Sequence, residues 1–121
     1  MITETKMRRV EPDITVLEIS GRLNLGNSLI TIETSIRRLV EEGDRKIVID
    51  LANLNAIDSS GIGVLVTSSG QIEQSGGQMR IAGAQGAVAK ALCMVHVDRI
   101  APLDADVETA CQNFKANKAS V

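Results

Sequence analysis

Aromatic side chains are nearly missing from this sequence. Phe114 is the single aromatic residue, with no Trp and no Tyr, so the chain offers no platform on which unpaired bases could stack. A basic face is missing too: 13 Lys and Arg against 15 Asp and Glu give a formal net charge of −2 and a pI near 5.4, the wrong sign for a phosphate backbone. Direct nucleic-acid binding is therefore not expected. No apolar run approaches the roughly 20 residues that cross a bilayer. The start Met1-Ile2-Thr3-Glu4 also lacks the charged and apolar blocks of a secretion signal. The expectation is a soluble, cytoplasmic protein with no membrane insertion.

The residues of catalysis and metal binding are just as sparse. His96 is the only histidine, and a serine nucleophile needs a base within hydrogen-bond reach. The elbow Gly-x-Ser-x-Gly does not occur around Ser59 or Ser60, because Ile57 and Asp58 stand where its first glycine would be. Gly61-Ile62-Gly63 hints at a dinucleotide fingerprint, but its third glycine would fall at Val66 and no acidic ribose partner follows. A Gly-Lys-Ser or Gly-Lys-Thr phosphate loop is absent. Cys93 and Cys111 are the only cysteines; lying within apolar helical patterns, they read as buried, reduced thiols, and with His96 they fall short of a zinc set. No enzyme activity, cofactor or metal is expected.

What the sequence does contain is aliphatic pattern. With 121 residues it fits a single domain, residues 1–121, able to bury about two-thirds of its unfolded surface. The stretch from Arg45 to Gly76 organises it. Lys46-Ile47-Val48-Ile49-Asp50-Leu51 reads as a strand buried on both faces, and Asn53, Asn55 and Asp58 lead the chain out of it. After Ser59, Ser60 and Gly61, the positions Ile62, Leu65, Val66, Ser69 and Ile72 recur at helical spacing and stop at Gly76-Gly77. Two serines thus stand at a helix N-terminus, where unpaired N–H groups and the helix dipole favour an anionic group. Asp58 or Ser59 would cap that helix, and Gly61 and Gly63 would permit close packing.

Around this centre, Lys6 to Val10 and Ile14 to Ser20 read as a hairpin across Glu11-Pro12-Asp13. A loop, Gly21 to Asn27, leads to Ser28, placed to cap a helix carrying Leu29, Ile32, Ile36, Leu39 and Val40 on one side, with Gly43 as its stop. Gln78 to Ala82 reads as a parallel strand reached by a right-handed crossover. Val88, Ala91, Leu92 and Val95 mark a short helix, and Arg99 to Leu103 a last strand restricted by Pro102. Asp104 or Asp106 would cap a final helix burying Val107, Ala110, Cys111 and Phe114, with a frayed tail from Lys115 to Val121. The fold class is α/β: one mixed sheet of about five strands with about four helices packed against it.

Gly21-Arg22-Leu23-Asn24, Ile47-Val48-Ile49-Asp50-Leu51, Gly76-Gly77-Gln78-Met79 and above all Ile57-Asp58-Ser59-Ser60-Gly61-Ile62-Gly63-Val64-Leu65 resemble a STAS domain of the bacterial anti-sigma factor antagonist family. The resemblance covers nearly the whole chain. It implies a partner-switching regulator of sigma-factor-dependent transcription. In that family a serine-kinase anti-sigma factor phosphorylates the first serine after the aspartate, here Ser59, and a PP2C-type phosphatase reverses the modification. The unmodified antagonist holds the anti-sigma factor, and the phosphorylated form releases it. The resemblance further implies a partner-facing surface at Asn24, Asp58, Ser59, Ser60, Gly61 and Ile62. One departure is Asn24, where the family commonly carries aspartate: hydrogen bonding is kept and the negative charge is lost. The alternative reading is a non-switching STAS scaffold subunit of a lipid-transport or stress-signalling complex. The sequence also leaves room for weak self-association.

Overall fold

A computed structural model describes residues 4–23 and 27–119. In order come β1 (Glu4–Val10), β2 (Ile14–Leu23), α1 (Asn27–Glu41), β3 (Lys46–Asp50), β4 (Leu54–Ile57), α2 (Ser59–Gln74), β5 (Gln78–Ala82), α3 (Gly86–Met94), a single 3₁₀ turn (Val97–Arg99), β6 (Leu103–Asp104) and α4 (Val107–Ala119). The described residues thus form six strands and four α-helices, an α/β fold with one mixed sheet. The sheet runs β1-β2-β3-β5-β6, with β4 pairing to β2. Only β1 and β2 are antiparallel, as a short hairpin permits; the other pairings are parallel and are reached through helices or longer connections.

Strand β2 explains how one sheet accommodates six strands. Its first half, Ile14 to Glu18, lies in register with Lys46 to Asp50 of β3. Past the end of β3, its last residues Gly21 to Leu23 pair with Leu54 to Ile57 of β4, through an irregularity between Gly21 and Arg22. Gly21 takes φ of 89° there, a conformation that costs a glycine little. The strand β4 was not expected, because Asn53 and Asn55 read as turn residues. Its pairing with β2 outweighs that local preference.

Alternation along the strands sorts the side chains into two cores. On one face Leu17, Ile19, Ile47, Ile49, Met79 and Ile81 pack with Ile32, Ile36 and Leu39 of α1, Leu65 and Ile72 of α2, and Val88 and Leu92 of α3. On the other face Ile14, Val16, Val48 and Ala82 pack with Ala110, Cys111 and Phe114 of α4. Each fully buried aliphatic side chain contributes roughly 1.5–3 kcal/mol, so the larger core dominates. The second face adds a charged anchor: Arg80 holds Asp104 through two hydrogen bonds, 2.7 Å from Nε and 3.1 Å from Nη2, and Asn113 donates to the same carboxylate at 2.7 Å.

Several expectations are corrected. Helix α1 begins at Asn27, so Ser28 belongs to its first turn instead of preceding it. The segment expected as a strand from Arg99 to Leu103 is a 3₁₀ turn followed by a two-residue strand; Pro102 contributes only its carbonyl, which accepts from Ile81 N–H at 2.8 Å. Cys93 is exposed and only Cys111 is buried, both as free thiols, because α3 turns Val88 and Leu92 inward and leaves Cys93 on its outer side. Helix α4 runs from Val107 to Ala119. No helix among the described residues is long and apolar enough to cross a membrane.

Candidate functional site at the start of helix α2

Leaving β4, Asp58 takes an extended conformation, φ −112° and ψ −177°, and becomes the N-cap of α2. Its carboxylate Oδ1 accepts the Gly61 N–H at 3.0 Å, and its carbonyl accepts the Ile62 N–H at 3.0 Å. An aspartate three residues before an amide it can reach satisfies a donor that the first helical turn would otherwise leave orphaned. Of the two cap candidates, Asp58 makes the bond and Ser59 does not.

Ser59 therefore occupies the first helical position with an exposed side chain, Ser60 is half-buried beside it, and Gly61 is buried. Ile62 turns back and packs against the larger core. Gly61 is required by contact: a Cβ there would run into the Leu23 carbonyl oxygen and come within 2.9 Å of the Ile57 and Leu23 side chains. The same Leu23 carbonyl accepts the Asp58 N–H at 3.2 Å. One backbone oxygen at the end of β2 thus fixes both the cap and the first turn of α2. Gly63, expected to allow close packing, instead has nothing within 4 Å of where its Cβ would stand, and neither has Gly70, two turns along the same face. The outer side of α2 is consequently bare beyond Ser59.

The structure brings Asp58, Ser59, Ser60, Gly61 and Ile62 together in one turn. Asn24 lies outside the described residues, although its neighbour Leu23 is pinned to this turn. Sequence reasoning missed the Leu23 pin; its signal was Gly61, a small residue at a helical position facing inward. His96 sits in the left-handed region, φ 58°, ahead of the 3₁₀ turn, and no hydrogen bond joins it to either serine. Among the described residues no group of three or more His, Cys, Asp or Glu could hold a metal ion. What the turn presents is an accessible hydroxyl on a helix N-terminus, close to a fixed carboxylate.

The STAS domain family model matches residues 5–110. The chain belongs to the STAS family. Its relatives include a Thermotoga maritima protein named as a candidate anti-sigma factor antagonist, 23% identical over 107 residues and covering 88% of this chain and 95% of that one. The crystal structure of such a protein from that organism has a TM-score of 0.82 at 23% identity, over 90% of this chain and 92% of that one. The anti-sigma factor antagonist SpoIIAA in its unphosphorylated form aligns with a TM-score of 0.70 at 19% identity, over 93% and 98% of the two chains. The Bacillus cell-fate determinant SpoIIAA in the phosphorylated form aligns with a TM-score of 0.72 at 18% identity, over 92% and 99%. A serine-to-glutamate variant of Moorella thermoacetica RsbS gives a TM-score of 0.79 at 23% identity, over 97% and 98%. This STAS domain is thus similar in sequence and fold to anti-sigma factor antagonists.

Proposed function

We propose that this STAS protein is a cytoplasmic, non-enzymatic anti-sigma factor antagonist switched at Ser59. Unmodified, it binds a serine-kinase anti-sigma factor and so frees a sigma factor for transcription. Phosphorylated on Ser59 by that kinase it lets go, and a PP2C-type phosphatase resets it. The partner surface comprises Asn24, Asp58, Ser59, Ser60, Gly61 and Ile62. The observation that carries the reading is the exposed Ser59 hydroxyl at the first position of a helix whose cap, Asp58, does not use it. SpoIIAA, of the same fold, has been solved in unphosphorylated and phosphorylated forms.

The physics favours a switch at the surface over a switch of the fold. A phosphate brings about −1.5 to −2 charges, and a helix N-terminus tolerates them. Because the Asp58 carboxylate already holds the Gly61 amide, the phosphate stays on the outer side, where a partner would sit. Burying that charge without a cation opposite costs several kcal/mol, and about 2.8 kcal/mol suffices for a hundredfold loss of affinity.

The test is a binding titration with the cognate serine-kinase anti-sigma factor. Ser59→Ala should bind like the unmodified protein and resist release by ATP, whereas Ser59→Asp should bind about a hundredfold more weakly. Equal binding by Ser59→Asp, together with recovery of a transport ATPase from native extract, would favour the scaffold reading instead.

A further inference from the structure

Strand β1 closes one edge of the sheet: among the described residues it pairs only with β2. Its outer backbone groups are therefore open to a further strand. The register sets Lys6, Arg8 and Val10 opposite Glu18, Val16 and Ile14, and Val16 and Ile14 belong to the core beneath α4. Lys6, Arg8 and Val10 thus share the α4 face. There a groove of about 380 Å³ runs between β1 and α4, with Val10, Val107 and Cys111 supplying apolar lining and Arg8, Lys115 and Glu108 charged lining.

Charge on this edge opposes that of the whole molecule. Lys6, Arg8 and Arg9 against Glu4 leave β1 with two excess positive charges, while the chain carries −2. Arg9 is committed to Asp44 at 3.0 Å, but among the described residues Lys6 and Arg8 have no ion-pair partner. Burial pushes the Cys111 thiol above its ordinary pKa against the opposing pull of Lys115 and Arg8, which places both cations within electrostatic reach of the groove floor. A second copy of the chain is disfavoured on this edge in the register that uses the whole strand. An antiparallel pairing centred on Met7 would set Lys6 against Arg8 of the other copy, and like charges directly opposite are unfavourable.

We propose that β1 is a docking edge for an extended acidic segment of another protein, which adds to the sheet as a strand beside β1. The side chains of that segment that share the α4 face, every second residue, meet Lys6, Arg8 and Lys115 as carboxylates and enter the groove beside Val10 and Cys111 as an apolar residue. Main-chain pairing supplies affinity, and acidic and apolar side chains spaced two residues apart on the groove-facing side supply selectivity. This surface is separate from the Ser59 turn and does not depend on the function proposed for it.

A random dodecapeptide phage library panned against the intact protein, with counter-selection on Lys6→Glu/Arg8→Glu, tests the proposal. Selected peptides should carry Asp or Glu at two positions two residues apart, with Val, Ile or Leu two residues further on, in one chain direction or the other. Titrated into isotope-labelled protein, a synthetic copy should slow amide exchange along Glu4 to Val10. It should bind the double variant at least about tenfold more weakly, and Lys6→Gln/Arg8→Gln should fall between should the reversed charges disturb folding. Failure to recover any peptide that discriminates the variants, peptides without that every-second-residue pattern, or amide changes centred on α2 would each overturn it. Binding of the kinase partner should be unaltered in the double variant, so the outcome is independent of the Ser59 reading.

Discussion

On one face of the sheet α1, α2 and α3 are held by an aliphatic core in which, among the described residues, no ion pair is buried on both sides; on the other, α4 is held by a small apolar cluster and by the Arg80–Asp104 pair, whose side chains are 9% and 5% exposed. The Arg80 guanidinium also lies 5.7 Å from the centre of the Phe114 ring, so the sole aromatic residue serves this anchor. Apart from the Asp58 cap, the helix that bears Ser59 is thus fixed by contacts indifferent to charge. That is the condition under which a phosphate can be added at one end of α2 while the domain stays folded. The α4 face answers to charge, and a modification there would be felt by the fold.

The comparison can be broken most strongly at Asp104. Asp104→Ala strands the buried Arg80 and should destabilise by about 3–5 kcal/mol in urea unfolding, while the double replacement Arg80→Met/Asp104→Leu should be nearly neutral. An equal loss in both would mean that shape, and not charge, holds α4. On the aliphatic face Leu65→Ala, at a position with no exposed surface, should cost about 3 kcal/mol, with no change on adding salt. Asp58→Ala removes the cap and should cost about 1 kcal/mol, visible as faster amide exchange in the first turn of α2 alone. The smallest effect concerns reactivity: because burial raises the Cys111 thiol, less of it is thiolate at any given pH. Alkylation at neutral pH should therefore label the exposed Cys93 first, and Cys111 should catch up only as pH rises.

Much of this was legible in the residues. The unbroken apolar run Ile47-Val48-Ile49, buried on both faces, and the helical spacing from Ile62 to Ile72 place β3 and α2 where they are found. Asp58, three residues ahead of Gly61, announces its own cap. What the sequence concealed depends on distant partners. Strand β4 exists because β2 outruns β3, and no local preference of Leu54-Asn55-Ala56-Ile57 records that. The Leu23 carbonyl that pins α2 is a backbone atom, silent in sequence except through the glycine that makes room for it. Cys93 was misplaced because a nine-residue helix with alanines around it shows no sharp apolar side.

The most direct measurement is to incubate the protein with the serine-kinase anti-sigma factor proposed as its partner and ATP, map the phosphate by mass spectrometry, and compare urea unfolding before and after. The account predicts modification of Ser59 and not Ser60, none in Ser59→Ala, release of the partner, and a change in stability below about 1 kcal/mol, the scale of a charge at a helix end. Phosphate on Ser60, an unmodified Ser59, or a phosphorylated domain that unfolds would contradict it.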